Sequence, residues 1–200
     1  CAMGFSWIPI YRELAEKALE RRKDQQFLLN LMEEKGIKVM DTGGRHPGID
    51  PFSFFASFNK GHMSDENRQG IIRFYQERLG LPVQAPEDFD GIPTATPLKA
   101  FFFAKDLATP EEDIARLWDM ADEAFHKPVA DVTPSLFNDC LAAKGIGVPY
   151  LTMGCFWLNP EKYLPLDSNS VKYLNEKLGL SNKVTDHTSY VALLEALRAK

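Results

Sequence analysis

The chain has 200 residues, of which 44% are hydrophobic and 26% are charged, and its formal net charge at pH 7 is −5. This composition excludes a disordered chain, and no apolar run approaches the ~20 residues of a bilayer-spanning helix. The acidic balance also excludes a protein that holds nucleic acid through an extended basic surface. We expect one globular domain over residues 5–200, with residues 1–4 (CAMG) as a remnant of cloning.

Helical spacing of apolar residues predicts that most of the chain is helical. The first segment, 8–35, is predicted to be one long helix or a helical hairpin, ending at Gly36. The clearest boundaries belong to the helix over 65–79, where Ser64 is a good N-cap and Gly80 a good C-terminal signal. Further helices are predicted over residues 52–58, 109–124, 134–143, 170–178 and 189–199.

One segment has the pattern of a strand. Leu98–Ala104 contains three consecutive Phe residues, and it follows a loop over residues 81–97 that contains four prolines. The run from Tyr150 to Leu158 fits either a strand or a buried helix. The predicted fold class is therefore α+β, a helix-rich single domain with a small sheet.

The sequence contains no complete catalytic or metal-binding motif. It has no P-loop, no GxGxxG segment and no nucleophile elbow. Its four histidines and the internal cysteines Cys140 and Cys155 lack the spacing that places two metal ligands on one face. We therefore expect no enzyme activity in this chain, no catalytic residue, no metal and no cofactor. The cysteine usage favours a reducing cytoplasm.

Three segments carry a resemblance to a known family. They are residues 50–61 (DPFSFFASFNKG) running into 65–68 (DENR), residues 88–93 (DFDGIP), and residues 151–160 (LTMGCFWLNP) followed by 163–167 (YLPLD). In this order the segments resemble the region that precedes the motor in McrB-like AAA+ GTPases of modification-dependent restriction systems. The resemblance spans roughly residues 7–198.

The resemblance implies a function and partners. Residues 5–200 would be the N-terminal recognition domain, and they would bind duplex DNA that carries a modified base, methylated or hydroxymethylated cytosine. The absent motor would hydrolyse GTP, and an McrC-like nuclease would cut the DNA in the cytoplasm, with no role for a membrane.

The first candidate DNA-binding residues surround a turn and a helix start. Asn59, Lys60, Asn67 and Arg68 cluster where a helix N-terminus favours phosphate. The alternative for Asn67 and Arg68 is helix capping and a surface ion pair.

The other candidates concern a pocket for an extruded base, which needs aromatic walls and polar groups. Asp90 and Lys99 flank the proline-rich loop as a pocket wall, although a plain turn at Asp90 fits equally well. Phe156 and Trp157 would stack on a base, and packing of this pair in the core is the favoured alternative because large aromatic side chains are mostly buried.

Two other functions stay open. A protein-interaction or oligomerisation module of a bacterial defence protein fits the acidic balance, and a large exposed apolar patch would favour it. Residues 144–150 (KGIGVPY) also resemble the glycine-bounded hairpin of helix-hairpin-helix DNA-binding proteins, with Asp167 downstream as in a base-excision glycosylase. An Asp167 carboxylate in an aromatic pocket would favour that enzyme, and a basic concave face around Lys60, Arg68 and Lys99 would favour the DNA reader.

Overall fold

The computed structural model describes residues 4–41, 44–103, 110–181 and 183–200, and helices are nearly the only regular secondary structure of these residues. They form nine α-helices: α1 (Ile8–Leu19), α2 (Gln25–Glu34), α3 (Pro51–Ala56), α4 (Asp65–Leu79), α5 (Pro110–His126), α6 (Pro134–Ala142), α7 (Gly147–Leu158), α8 (Ser168–Leu178) and α9 (His187–Arg198). Two short 3₁₀ turns, Pro97–Lys99 and Val129–Asp131, complete the helical structure of the described residues.

Helix α7 is the centre of the core. Its sequence contains no charged residue, and a helix that is apolar on all sides must be buried on all sides. Every residue from 151 to 158 is buried, and the helix packs against α1, α3, α5 and α6. Helix α4 lies outside this group against α1, and α9 packs against α6.

Local signals place the helix ends as the sequence predicts. The Ser64 hydroxyl accepts a hydrogen bond from the backbone of Asn67, and Gly80 ends α4 in the left-handed region with φ 66°. The first predicted segment is a helical hairpin, α1 and α2. The region over 150–158, left open between strand and helix, is helical. The predicted helices over 52–58, 134–143, 170–178 and 189–199 are confirmed, with ends that shift by one or two residues.

The α+β fold class is wrong, because the described residues are essentially all-α. Their only paired strands are the two-residue β1 (Met40–Asp41) and β2 (Gly44–Arg45), which form an antiparallel pair. The predicted strand begins in the 3₁₀ turn at Pro97–Lys99, and residues 101–103 have no regular secondary structure. Side-chain contacts, and not strand pairing, hold this segment. The backbone N–H of Phe102 donates to the Ser53 hydroxyl at 2.9 Å, and the Phe102 ring stacks on Phe52.

Some sequence predictions lie outside the described residues. The cloning remnant over residues 1–4 falls there except for Gly4. The predicted cap of α5 at Thr109 and the end of the predicted strand at Ala104 also fall there.

A buried carboxylate supports the contact between α3 and the 101–103 segment. Asp50 is fully buried and caps α3, accepting hydrogen bonds from the backbone N–H and the hydroxyl of Ser53. Burial raises the pKa of Asp50 to about 6, and the two Ser53 hydrogen bonds only partly oppose this shift. The carboxylate is therefore held at an energetic cost at neutral pH, because desolvation penalises the charged form.

Replacing Asp50 with Asn should change the pH dependence of stability. Because the pKa of Asp50 is raised in the folded state, the protonated side chain stabilises the fold fully below its ordinary pKa. This stabilisation is lost as pH rises through about 6 and the side chain ionises. Between pH 4 and pH 7, the free energy of unfolding of the native chain should fall by up to about 3 kcal/mol relative to that of Asp50→Asn, which keeps a good N-cap. Denaturant unfolding at several pH values measures this difference, and parallel profiles for the two proteins would contradict it.

Candidate nucleic-acid interface

The segment over residues 86–97 contacts two of the side chains predicted to bind DNA, those of Arg68 and Trp157. The Arg68 guanidinium lies 4.7 Å from the ring centroid of Phe89. The backbone carbonyl of Asp90 accepts a hydrogen bond from the indole of Trp7 at 2.9 Å, and the carbonyl of Pro93 accepts one from the indole of Trp157 at 3.0 Å. The fold thus brings Arg68 and Trp157 to the segment that contains Asp90, and the Trp157 indole anchors this segment.

Asn59 is an anchor inside the core. It is fully buried, and its side chain accepts a hydrogen bond from the Tyr11 hydroxyl at 2.6 Å and donates one to the Phe55 carbonyl at 2.9 Å. Its backbone carbonyl accepts from the N–H of Ala95 at 2.8 Å, and the next residue, half-buried Lys60, forms a bridge with Ala95. The polar groups of the Asn59 side chain are used within the protein and do not face solvent.

The two aromatic candidates are also in the core. Trp157 is 0% exposed and Phe156 is 8% exposed. The Phe156 ring meets the Trp7 ring edge-on, and the Trp157 ring meets the Phe102 ring. In this conformation neither ring offers a free face for stacking on a base, which is the core alternative that the sequence favoured.

Arg68 and Asn67 are adjacent but face different environments. Arg68 is 5% exposed, and within the part of the chain that the structure describes its Nε has no hydrogen-bond partner. Asn67 is exposed at the start of α4. Because the Arg68 guanidinium is covered by Phe89, it does not contribute to a basic concave face with Lys60 and Lys99.

A more accessible cationic site lies at the hairpin between α6 and α7. Gly145 and Gly147 both lie in the left-handed region, with φ 88° and 65°, which favours glycine. Lys144 is exposed beside them. Lys99 extends over the turn, because its Nζ lies 3.5 Å from the position that a Cβ on Gly145 would occupy. Sequence reasoning included Lys99 for another reason and noted this hairpin only as an alternative.

The amino end of α7 is open at this hairpin. No side chain caps it, so its first backbone N–H groups lack the usual side-chain acceptor. Tyr150, in the first turn, lies under the Lys99 ammonium, with Nζ 4.6 Å from the ring centroid. The Tyr150 hydroxyl also hydrogen-bonds the Thr96 hydroxyl at 2.9 Å. The hairpin and the 86–97 segment therefore form one continuous surface.

A cavity of about 660 Å³ lies on the other side of the 91–94 stretch. One wall is the Gly91–Thr94 stretch, and the opposite wall is the start of α8, including Asp167 and Tyr173. Asp167 caps α8, and its Oδ1 accepts from the backbone N–H and the hydroxyl of Ser170. Tyr173 is 58% exposed. The cap at Asp167 follows from the sequence, but the exposure of Tyr173 depends on the tertiary packing of α8.

Two further cavities lie at the surface of the described residues. One cavity of about 530 Å³ lies between the α1–α2 turn and α5, and a more apolar one of about 360 Å³ lies between α8 and the start of α7. The described residues contain no group of three or more His, Cys, Asp or Glu side chains that could hold a metal ion. No helix within the described ranges is long and apolar enough to cross a membrane.

Replacing the two asparagines separates a core role from a surface role. Asn59→Ala leaves the Tyr11 hydroxyl and the Phe55 carbonyl buried without their partner, so it should lower the free energy of unfolding by about 2–3 kcal/mol. Asn67→Ala, at an exposed position, is the matched control and should stay within about 0.5 kcal/mol. Urea denaturation of both variants measures the difference, and equal effects would contradict the assignment of Asn59 to the core.

The chain was compared with protein families, with curated proteins and with solved structures. No curated protein matches significantly, and no solved structure does so either. A family model described as a domain of unknown function, DUF8425, matches residues 7–200. Because this match covers nearly the whole sequence, the chain belongs to the DUF8425 family.

Proposed function

We propose that this chain is a DNA-binding domain that anchors the phosphate backbone at the α6–α7 hairpin and receives an extruded nucleobase in the Asp167 cavity. The observation that carries the proposal is the open amino end of α7. Gly145 precedes it and Gly147 is its first residue, both with positive φ, and it is flanked by Lys99 and Lys144. Backbone N–H groups at a helix start, with nearby cations, bind phosphate.

The electrostatics support local rather than extended contact with DNA. The net charge is −5, and the stretch over 81–130 carries four Lys or Arg against ten Asp or Glu. Such a chain repels the backbone over much of its surface, so binding depends on a few close contacts at the hairpin. We therefore expect affinity to fall with salt less steeply than for proteins with a broad basic face.

The Asp167 cavity provides the second part of the proposal. Its volume of about 660 Å³ lies within the usual range for small-ligand sites. The Gly91–Thr94 wall is joined to the hairpin surface through Thr96, which contacts Tyr150. A DNA strand held at the hairpin would have to extend along this stretch to reach the cavity, and a base inside a duplex enters such a cavity only by extrusion.

The resemblance to McrB-like proteins supports a narrower proposal. The domain would recognise methylated or hydroxymethylated cytosine in the cytoplasm. A GTP-hydrolysing motor and an McrC-like nuclease would act on the DNA that the domain selects.

Base excision is a second candidate function, and the position of Asp167 favours it. The carboxylate lines the cavity together with the exposed aromatic ring of Tyr173. In an excision reaction such a carboxylate would stabilise the positive charge that develops on the sugar as the bond between C1′ and the base nitrogen breaks. Water would then add to C1′, and the base would leave with a proton.

Removing the hairpin cations should weaken DNA binding in a defined way. The double variant Lys99→Ala/Lys144→Ala should lower the affinity for a short duplex and reduce the slope of log K against log salt by about 2, because each phosphate contact contributes about 0.9. Lys38→Ala, which removes one exposed cation from the segment between α2 and β1, is the control. Fluorescence anisotropy at several salt concentrations measures both effects. An equal loss in the Lys38 variant would contradict the hairpin as the anchor.

Matched duplexes test the choice of base. The native chain should bind a duplex with a central 5-methyl- or 5-hydroxymethylcytosine more tightly than the unmodified duplex. Alkaline cleavage of the same DNA after incubation detects any abasic site, so excision is scored separately from binding. Failure to bind any of these duplexes at low salt would contradict the DNA-binding proposal.

A further inference from the structure

We infer that Asp167 selects cytosine and adenine, which carry an amino group at C4 and C6 respectively, over thymine and uracil, which carry a keto oxygen at C4. This inference rests on the proposed function, because it names the chemical class that the cavity would accept. It goes beyond that proposal by assigning the selection to one carboxylate oxygen.

Among the residues described as lining the cavity, Asp167 is the one charged side chain. The other polar side chains there belong to Thr94, Ser168, Asn169, Ser170 and Tyr173, and each of these can both donate and accept a hydrogen bond. They can therefore adapt to an amino or a keto group. An ionised carboxylate only accepts, so Asp167 is the lining side chain that can discriminate between the two.

Hydrogen bonds at the start of α8 fix the orientation of the Asp167 carboxylate. Its Oδ1 is held by the backbone N–H and the hydroxyl of Ser170. Within the described part of the chain no hydrogen bond reaches the second oxygen, Oδ2. The side chain is half-buried and capped onto α8, so the carboxylate has a preset orientation and one oxygen available for a ligand.

The chemistry of the bases then determines the preference. Cytosine presents its N4 amino group and adenine its N6 amino group as donors, whereas thymine and uracil present a carbonyl oxygen at the corresponding position. A carboxylate accepts from the amino group and repels the carbonyl. Leu174, Ile92 and Pro93 in the same cavity provide apolar surface for a substituent such as a methyl group on C5.

The substitution Asp167→Asn tests the inference, because it exchanges the acceptor for a donor. Asn remains a good N-cap, so its oxygen can keep the Ser170 contacts while its amide N–H₂ faces the cavity. The probes are duplexes with one central cytosine, adenine, thymine or uracil opposite an abasic analogue, so that extrusion breaks no base pair. The native chain should bind the cytosine and adenine duplexes roughly five- to a hundredfold more tightly than the other two. The Asn variant should lose or reverse this order.

Each outcome of this titration has a definite meaning, provided that thermal unfolding shows the variant to be folded. A reversed or abolished preference supports the amino-group selection. Equal binding of all four duplexes by the native chain, with the Lys99→Ala/Lys144→Ala variant weakened on all of them, leaves DNA binding in place and overturns the inference. An equal loss on all four duplexes in the Asn variant also overturns it. Failure of the native chain to bind any duplex overturns both the inference and the proposed function.

Discussion

The burial of α7 is the constraint on which the rest of the structure depends. Its buried stretch over 151–158 includes Leu151, Phe156 and Trp157, and each large apolar side chain removed from water contributes roughly 1.5–3 kcal/mol. To cover this helix, α1, α3, α5 and α6 must surround it. Its amino end is then left at the surface as the hairpin, while the Trp157 indole near its carboxyl end holds the Pro93 carbonyl. One helix thus positions both parts of the proposed DNA site.

The sequence predicts helix boundaries well where a side chain or a glycine terminates the helix. Ser64 and Gly80 do so for α4, because capping is a local interaction between residues close in the chain. The strand predicted from Leu98 is absent over the described residues 98–103, because aromatic enrichment reports burial and not backbone pairing. The three Phe residues are partly or fully buried through contacts with His46, Phe52 and Tyr150, which are distant in sequence.

The candidate site is predicted less completely than the fold, for a related reason. Asn59 and Lys60 are adjacent to a turn and have the composition of a surface site. Asn59 is nevertheless in the core, where it hydrogen-bonds Tyr11, Phe55 and Ala95. Nothing local in the sequence indicates these partners. The hairpin is different, because its two glycines and following helix are contiguous in the chain. Its relation to Lys99 arises only when residues 94–99 fold against Tyr150.

The two walls of the Asp167 cavity differ in how firmly the fold holds them. The backbone within and next to the 91–94 wall hydrogen-bonds the buried residues Trp7, Trp157 and Asn59. The shape of this wall is therefore set by core packing. The opposite wall, α8, buries only Leu174 among its described residues. Substitutions on the exposed face of α8 therefore disturb little of the core. Changes on α8 would therefore alter one side of the cavity while the 91–94 wall keeps its shape.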